Sequence, residues 1–203
     1  MRDEKSSCRG FTLTEGLVVL AILGIVLAIA IPNFRQYMVR SRVLGPVRDI
    51  ERMTSMVRLR GINAQRPGVL VFVEEGKTYA DLAAGPGARY LGGNAVVGYV
   101  DEDSSGTYTS GDEVVSGYVL PKTLGFRRPG SGDPVPAGGT VTYSASGTLT
   151  NSAGEWVYLG DGMGNYMRLV FLGSGAVKRE KNVPGTADGW IGPEREGEWR
   201  WVY

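Results

Sequence analysis

The sequence predicts an α+β protein in which a long N-terminal α-helix, with a membrane half and an amphipathic half, packs on a C-terminal antiparallel β-sheet domain. Three observations predict it. Apolar residues run from Leu17 to Ile31 behind a single acid, Glu15. Beyond Arg35, Val43, Val47, Ile50, Thr54 and Val57 recur at the spacing of one helix face. From Val69 onward, short runs of β-branched and aromatic residues alternate with Gly and Pro, the texture of strands joined by turns.

Residues 1–10 read as a leader carrying Arg2, Lys5 and Arg9 and ending in Gly10, with Phe11 behind it. A glycine lies extended in a protease groove without steric cost, so the Gly10-Phe11 junction can serve as a cut site. Cutting there gives Phe11 a free α-amino group with an unperturbed pKa of about 8. Glu15 follows four residues later, and no other charge appears before Arg35. A carboxylate in a membrane-length segment costs roughly 2.5 to 3.5 kcal/mol, so Glu15 requires a partner. The new amine of a neighbouring copy, shifted along its axis, supplies one, and surroundings of low dielectric make that pair strongly registering.

An ordinary secretory signal is the bland alternative. It places its cut after the apolar stretch, at small residues such as Ala28-Ile29-Ala30, whereas Gly10-Phe11 precedes that stretch. Cys8 has no apolar run before it, as a lipidation site would require, and is expected to leave with the leader.

At Arg9-Gly10-Phe11-Thr12-Leu13-Thr14-Glu15 the chain resembles the type IV prepilin superfamily, which includes type IV pilins and the pseudopilins of type II secretion. The resemblance implies the pilin fold, leader removal by a prepilin peptidase, N-methylation of Phe11, and an assembly role for Glu15. Thr14 and Gly16 depart from the large aliphatics usual beside that acid and weaken helix propensity or apolarity slightly. The expected organisation is a cleaved leader over 1–10, a transmembrane and assembly half over 11–34, an amphipathic half over 35–60, and a β-rich domain over 61–203.

A helix from Phe11 to about Arg60 would be roughly 75 Å long at 1.5 Å per residue, against about 30 Å of hydrocarbon core, so half of it must leave the membrane. Gly24, Pro32 and the Gly45-Pro46 pair are expected to bend or loosen it. Its outer face is basic, with Arg35, Arg40, Arg42, Arg48, Arg52, Arg58 and Arg60 against Asp49 and Glu51. Three readings stand: a solvated face, contact with lipid headgroups or filament neighbours, and DNA binding through Arg48, Arg52 and Arg58.

The strands are expected at Val69–Val73, Ala95–Val100, Glu113–Leu120, Thr140–Tyr143, Glu155–Leu159, Tyr166–Leu172 and Ala176–Glu180, with a hairpin at Gly173-Ser174-Gly175. Pro121–Gly139, rich in Gly and Pro, reads as a loop. Thr142 to Thr148, Glu155 to Gly162 and Arg168 to Glu180 together look like the closing part of the FimT/GspH-like minor pilins.

Composition excludes several chemistries. The chain has no His and one Cys, Cys8, which removes Ser-His-Asp and Cys-His catalysis. With the leader gone, no thiol remains for a disulfide or a thiolate metal site, and basic and acidic residues balance. No enzyme activity is expected, and no cofactor apart from calcium. Asp101, Asp103, Ser105 and Thr109 place oxygen side chains at positions 1, 3, 5 and 9 of a loop with Gly106 at 6, as calcium loops require. Thr107 offers its carbonyl at position 7, but position 12 is Asp112, with Glu113 one step late. A charged turn between two strands explains the same letters.

The tail holds Trp190, Trp199, Trp201 and Tyr203. It reads either as a partner-binding surface or as a last strand over Glu198–Tyr203 with Trp199, Trp201 and Tyr203 on one face. The resemblance as a whole implies a minor type IV pilin of a tip or priming complex, handled by prepilin peptidase, held by inner-membrane lipid and partnered by other pilins. An H-type pseudopilin and a DNA-binding pilin for natural transformation are the alternatives.

Overall fold

A computed structural model describes residues 13–83, 86–130, 132–136, 139–150, 155–183, 189–193, 195 and 199. The α+β class holds, and the chain divides into two compact units, Met1–Met38 and Val39–Tyr203. The described part of the first unit is the beginning of helix α1, which spans Leu13–Ala64. Gly24, Pro32, Gly45 and Pro46 all lie within this one helix rather than ending it.

In the second unit the later part of α1 buries the expected stripe: Val43, Val47, Ile50 and Val57 are fully inaccessible and Thr54 nearly so. Thr54 is tolerated because its hydroxyl donates to the Ile50 carbonyl at 2.8 Å, satisfying a buried polar group within the helix. Leu44 and Met53 widen the stripe.

The β-part forms two antiparallel sheets. The first has the order β3 (Glu113–Val119), β2 (Ala95–Val100), β1 (Gly68–Val73), β5 (Thr140–Tyr143). The second has the order β4 (Gly125–Phe126), β6 (Glu155–Gly160), β7 (Tyr166–Phe171), β8 (Val177–Asn182), β9 (Trp190–Ile191). All seven expected strands are present within two residues of their expected ends, and Leu172 and Gly175 close the β7–β8 hairpin. Two short strands were not foreseen. β4 lies in the segment expected to be loop and pairs Gly125 with Gly160 and Phe126 with Leu159. β9 pairs Ile191 with Lys181 and Trp190 with Asn182. A pair of residues carries too little alternation to register as a strand.

Both sheets share one core with α1. Leu70, Phe72, Val96, Val141 and Tyr143 of the first sheet and Val157, Leu159, Met167, Leu169 and Phe171 of the second pack around the α1 stripe. Phe72 holds their junction, edge-on to Phe126 and Phe171 with ring centroids 5.8 and 6.0 Å away. Because side chains alternate along a strand, Val69, Val71, Val73, Ala95, Val97 and Tyr99 fall on the opposite face of the first sheet. There helix α2 (Ala80–Ala83) and a 3-10 turn (Pro86–Tyr90) cover them in a second cluster.

Two glycine turns foreseen in the sequence meet beside α1. Arg58 donates from Nε to the Gly147 carbonyl at 2.6 Å and from a terminal nitrogen to the Ser174 carbonyl at 3.0 Å. Gly147 and Gly175 both have positive φ, and a Cβ on Gly175 would come within 2.1 Å of the Gly147 carbonyl oxygen. Glycine is required at that approach.

Candidate functional site

The apolar segment of α1 is the first candidate. Leu13–Ile31 is long and apolar enough to cross a membrane. Its side chains face outward all round, and Val19, the least exposed of its large apolar residues, is still 44 % exposed. An apolar surface of that extent calls for lipid or protein around it. Glu15 stands exposed in the first turn of the helix, where a carboxylate also complements the partial positive charge of the helix N-terminus. Gly10 and Phe11, the expected cut and methylation positions, lie outside the described residues.

The basic face is divided by the fold. Arg48 and Arg52 are exposed, and Arg52 reaches only a loose contact with Asp49 at 3.5 Å. Arg60 is engaged by Glu113 through two nitrogens at 3.0 to 3.2 Å. Arg58, the third of the expected DNA-contacting set, spends its guanidinium on the two turn carbonyls. Arg35, Arg40 and Arg42 are exposed.

The loop between β2 and β3 brings Asp101, Asp103 and Asp112 together, with one carboxylate oxygen of each within 4.8 Å of the others. Asp101 and Asp112 are buried and Asp103 is exposed. Asp101 accepts hydrogen bonds from the N–H groups of Ser105 and Gly106 at 3.0 and 2.9 Å. Asp112 accepts from the N–H groups of Glu102 and Thr109 at 2.9 and 2.6 Å. Burial pushes the Asp101 carboxyl above the ordinary carboxylate range, with Asp103 and Asp112 adding to it and the two N–H groups opposing. Hydrogen bonds from Ser105 hold Asp103 below that range. The oxygen spacing suits a calcium ion, whose bonds to oxygen are about 2.3 to 2.6 Å long. Ser105 directs its hydroxyl to the Thr107 carbonyl at 2.9 Å, so both of those expected ligand positions sit in the same turn. Thr109 bonds Asp103 and Asp112 through its hydroxyl.

Of the tail, Trp199 is buried and donates its indole N–H to the Ile191 carbonyl at 3.1 Å. Trp201, Tyr203 and Glu198 lie outside the described residues. Trp190 belongs instead to a stack on the outer face of the second sheet. The Arg168 guanidinium carbon lies 4.6 Å from the centre of Trp190 and 5.6 Å from that of Trp156, and Glu180 holds Arg168 at 2.5 Å. Strand pairing of Arg168 with Tyr158 and Glu180 sets this row.

Two charged groups on the core side of β8 escaped the sequence reading. Arg179 reaches Glu51 of α1 at 2.8 Å, and Lys181 is 1 % exposed, donating to the Asn182 carbonyl at 3.2 Å. Burial lowers the Lys181 pKa to about 8 against the opposing pull of Asp161. Period-two alternation from Val177 through Arg179 to Lys181 was the available signal.

The prokaryotic N-terminal methylation motif matches residues 5–31, which include Gly10, Phe11 and Glu15. The type IV major fimbrial protein FimA of Dichelobacter nodosus is 36 % identical over 64 residues, 32 % of this chain and 41 % of that protein. The type IV major pilin protein PilA of Myxococcus xanthus is 59 % identical over 34 residues, 17 % of this chain and 16 % of the pilin. A fimbrial protein of Pseudomonas aeruginosa is 45 % identical over 42 residues, 21 % of this chain and 27 % of that protein. The chain thus spans less than half the length of the curated relatives it matches. No solved structure matches it.

Proposed function

We propose that this chain, a member of the type IV prepilin superfamily, is a minor type IV pilin: a non-catalytic, low-abundance subunit of a pilus tip or priming complex. One observation carries the assembly mechanism. An all-round apolar helix segment bears one carboxylate, Glu15, close behind Gly10-Phe11, the expected cut site, within the segment that the methylation motif matches. Prepilin peptidase would cut after Gly10 and methylate Phe11. Before assembly the apolar segment would sit in inner-membrane lipid with the β-domain in the periplasm. On assembly it would exchange lipid for the helices of other pilins, Glu15 meeting the amine of a neighbour, and the subunit would pass to the cell surface.

The minor assignment is supported by the order of strands, glycine turns and closing hairpin from Thr142 to Glu180, and by the lack of any Cys beyond Cys8 to staple the C-terminal region. The relatives named as major pilins share only part of their length with this chain, which bears on the shared segment and not on abundance. The same features suit an H-type pseudopilin of type II secretion. Exposed Arg48 and Arg52 support the DNA-binding alternative for natural transformation.

The deciding experiment combines subunit counting by quantitative mass spectrometry of sheared filaments with a Glu15→Gln chain expressed beside the native one. Expected are low stoichiometry for the native chain, loss of incorporation for the variant, and normal leader removal in both. Stoichiometry equal to the dominant subunit defeats the minor assignment. Unchanged incorporation of the variant defeats the mechanism.

A second site accompanies this reading. The loop of Asp101, Asp103, Ser105, Thr107 and Asp112 is proposed to take calcium, which would tie the β2–β3 connection and stabilise the displayed domain. The convergence of three carboxylates, two of them buried, supports it.

A further inference from the structure

The outer face of the second sheet carries a continuous run of cations and aromatic rings that the filament reading leaves unused. Trp156 and Tyr158 stand two residues apart on β6, so their side chains leave the same face about 7 Å apart along the strand. The run begins at Arg128, whose guanidinium carbon lies 5.1 Å from the centre of the Tyr158 ring. Tyr158 meets Trp190 of β9 with ring centroids 5.5 Å apart, and Arg168 of β7 lies against both Trp190 and Trp156.

Two features identify the chemistry of a partner. Glu180 engages Arg168 through Nε, and the two terminal nitrogens of that guanidinium donate to none of the described residues. The Arg168 side chain is 18 % exposed and is held by one carboxylate and two indoles, so its open end is a fixed fork of the shape that grips a carboxylate. The second feature is Trp156, which stays 43 % exposed beside Arg168. A large flat apolar ring on a rigid strand, rimmed by charged groups, matches the C–H face of a pyranose, whose hydroxyls remain at the edge. Lys178 and Glu180, paired at 3.1 Å, add a donor and an acceptor for those hydroxyls. A polyphosphate fits less well. Glu180 stands within the run and repels it, and the rings of Tyr158 and Trp190 carry guanidinium groups where bases would have to stack.

We propose that this face binds an acidic glycan: the ring of a uronic acid lies on Trp156, its carboxylate is gripped by the terminal nitrogens of Arg168, and Arg128 attracts the next acid of the chain. The inference stands for a minor or a major subunit alike. A neutral glycan has the C–H faces without the charge, and an oligonucleotide has the charge without the pyranose ring.

The test uses the full chain in micelles of a sugar-free non-ionic detergent, its tryptophans isotopically labelled and observed by NMR, titrated with trigalacturonate, maltotriose and a short oligothymidylate of equal charge. Saturable shifts of the Trp156 and Trp190 indoles are expected with trigalacturonate, and binding of the other two should be weaker by about tenfold or more. Trp156→Ala, an exposed change, should weaken trigalacturonate by about tenfold. Arg128→Gln, also exposed, should weaken it several fold and leave maltotriose unaffected. Arg168→Lys, which keeps the charge and loses the fork, should remove most of the preference for trigalacturonate over maltotriose. Absence of saturable shifts, equal binding of maltotriose, or undiminished affinity in Trp156→Ala overturns the proposal, and tighter binding of oligothymidylate assigns the face to nucleic acid instead.

Discussion

Val57 lies so close to Gly98 that a Cβ there would stand 2.2 Å from the Val57 Cγ2. Gly68, on the neighbouring strand, is pressed the same way, its absent Cβ 2.9 Å from the Val57 carbonyl oxygen. α1 therefore rests on a patch of bare sheet backbone. Gly98→Ala should destabilise the domain by about 1 to 3 kcal/mol through overpacking, whereas Gly93→Ala, with open space around it, should stay within about 0.5 kcal/mol of the native chain. Chemical unfolding of the two variants side by side checks this, and equal stabilities refute the close approach.

Glu51 and Arg179 join α1 to the second sheet, each side chain about one-fifth to one-quarter exposed. The Arg179 Nε is buried without a partner, so loss of the carboxylate leaves the guanidinium poorly satisfied. Glu51→Gln should cost about 1 to 2 kcal/mol, and Arg179→Met added to it should restore part of that. A double-mutant cycle of unfolding free energies reads the coupling; additivity within about 0.3 kcal/mol would mean the pair contributes nothing.

Lys181 makes stability rise with pH. Its folded pKa of about 8 lies below the ordinary lysine value of 10.5, so above pH 8 the unfolded chain holds a proton that the folded chain has released. The cost of burying a cation is fully present below pH 8 and is relieved as pH climbs toward 10.5. Between pH 8 and 10 the native chain should gain about 2 kcal/mol relative to Lys181→Met, measured by unfolding at each pH. Above pH 10 the buried hydroxyls of Tyr99 and Tyr143, both pushed up by burial, turn the trend downward because the unfolded chain ionises first. A flat difference between native and variant from pH 8 to 10 contradicts the buried cation.

Calcium should raise the melting temperature of the domain, and magnesium at the same concentration should not. At a hundredfold excess over Kd the gain is about 2.7 kcal/mol. Asp112→Asn removes charge from one of the two buried acids of the loop and should weaken the effect several fold. Identical melting curves with and without millimolar calcium dispose of the site.

The arginines of α1 separate by role. Arg58→Gln breaks two hydrogen bonds to turn carbonyls and should cost about 1 to 2 kcal/mol of stability. Arg48→Gln and Arg52→Gln should leave stability within about 0.5 kcal/mol. If the chain binds DNA through these two, each change should flatten the slope of log K against log salt by about 0.9. A salt slope untouched by both substitutions removes this face from any account of DNA binding.

Much was fixed by local chemistry. The apolar run behind Glu15, the stripe from Val43 to Val57 and the seven strands expected between Val69 and Glu180 were legible because each repeats a backbone period or interrupts it with Gly or Pro. The acids of the Asp101 loop were legible for the same reason, being near one another in sequence. The tertiary structure decided everything that joins distant segments: the split into two sheets, the closure of β4 and β9, Arg58 on Gly147 and Ser174, Glu51 on Arg179, and Arg168 against Trp156 and Trp190 on the outer face of the second sheet. Such contacts leave no period along the chain, since their residues are brought together only when α1 and both sheets close over one core.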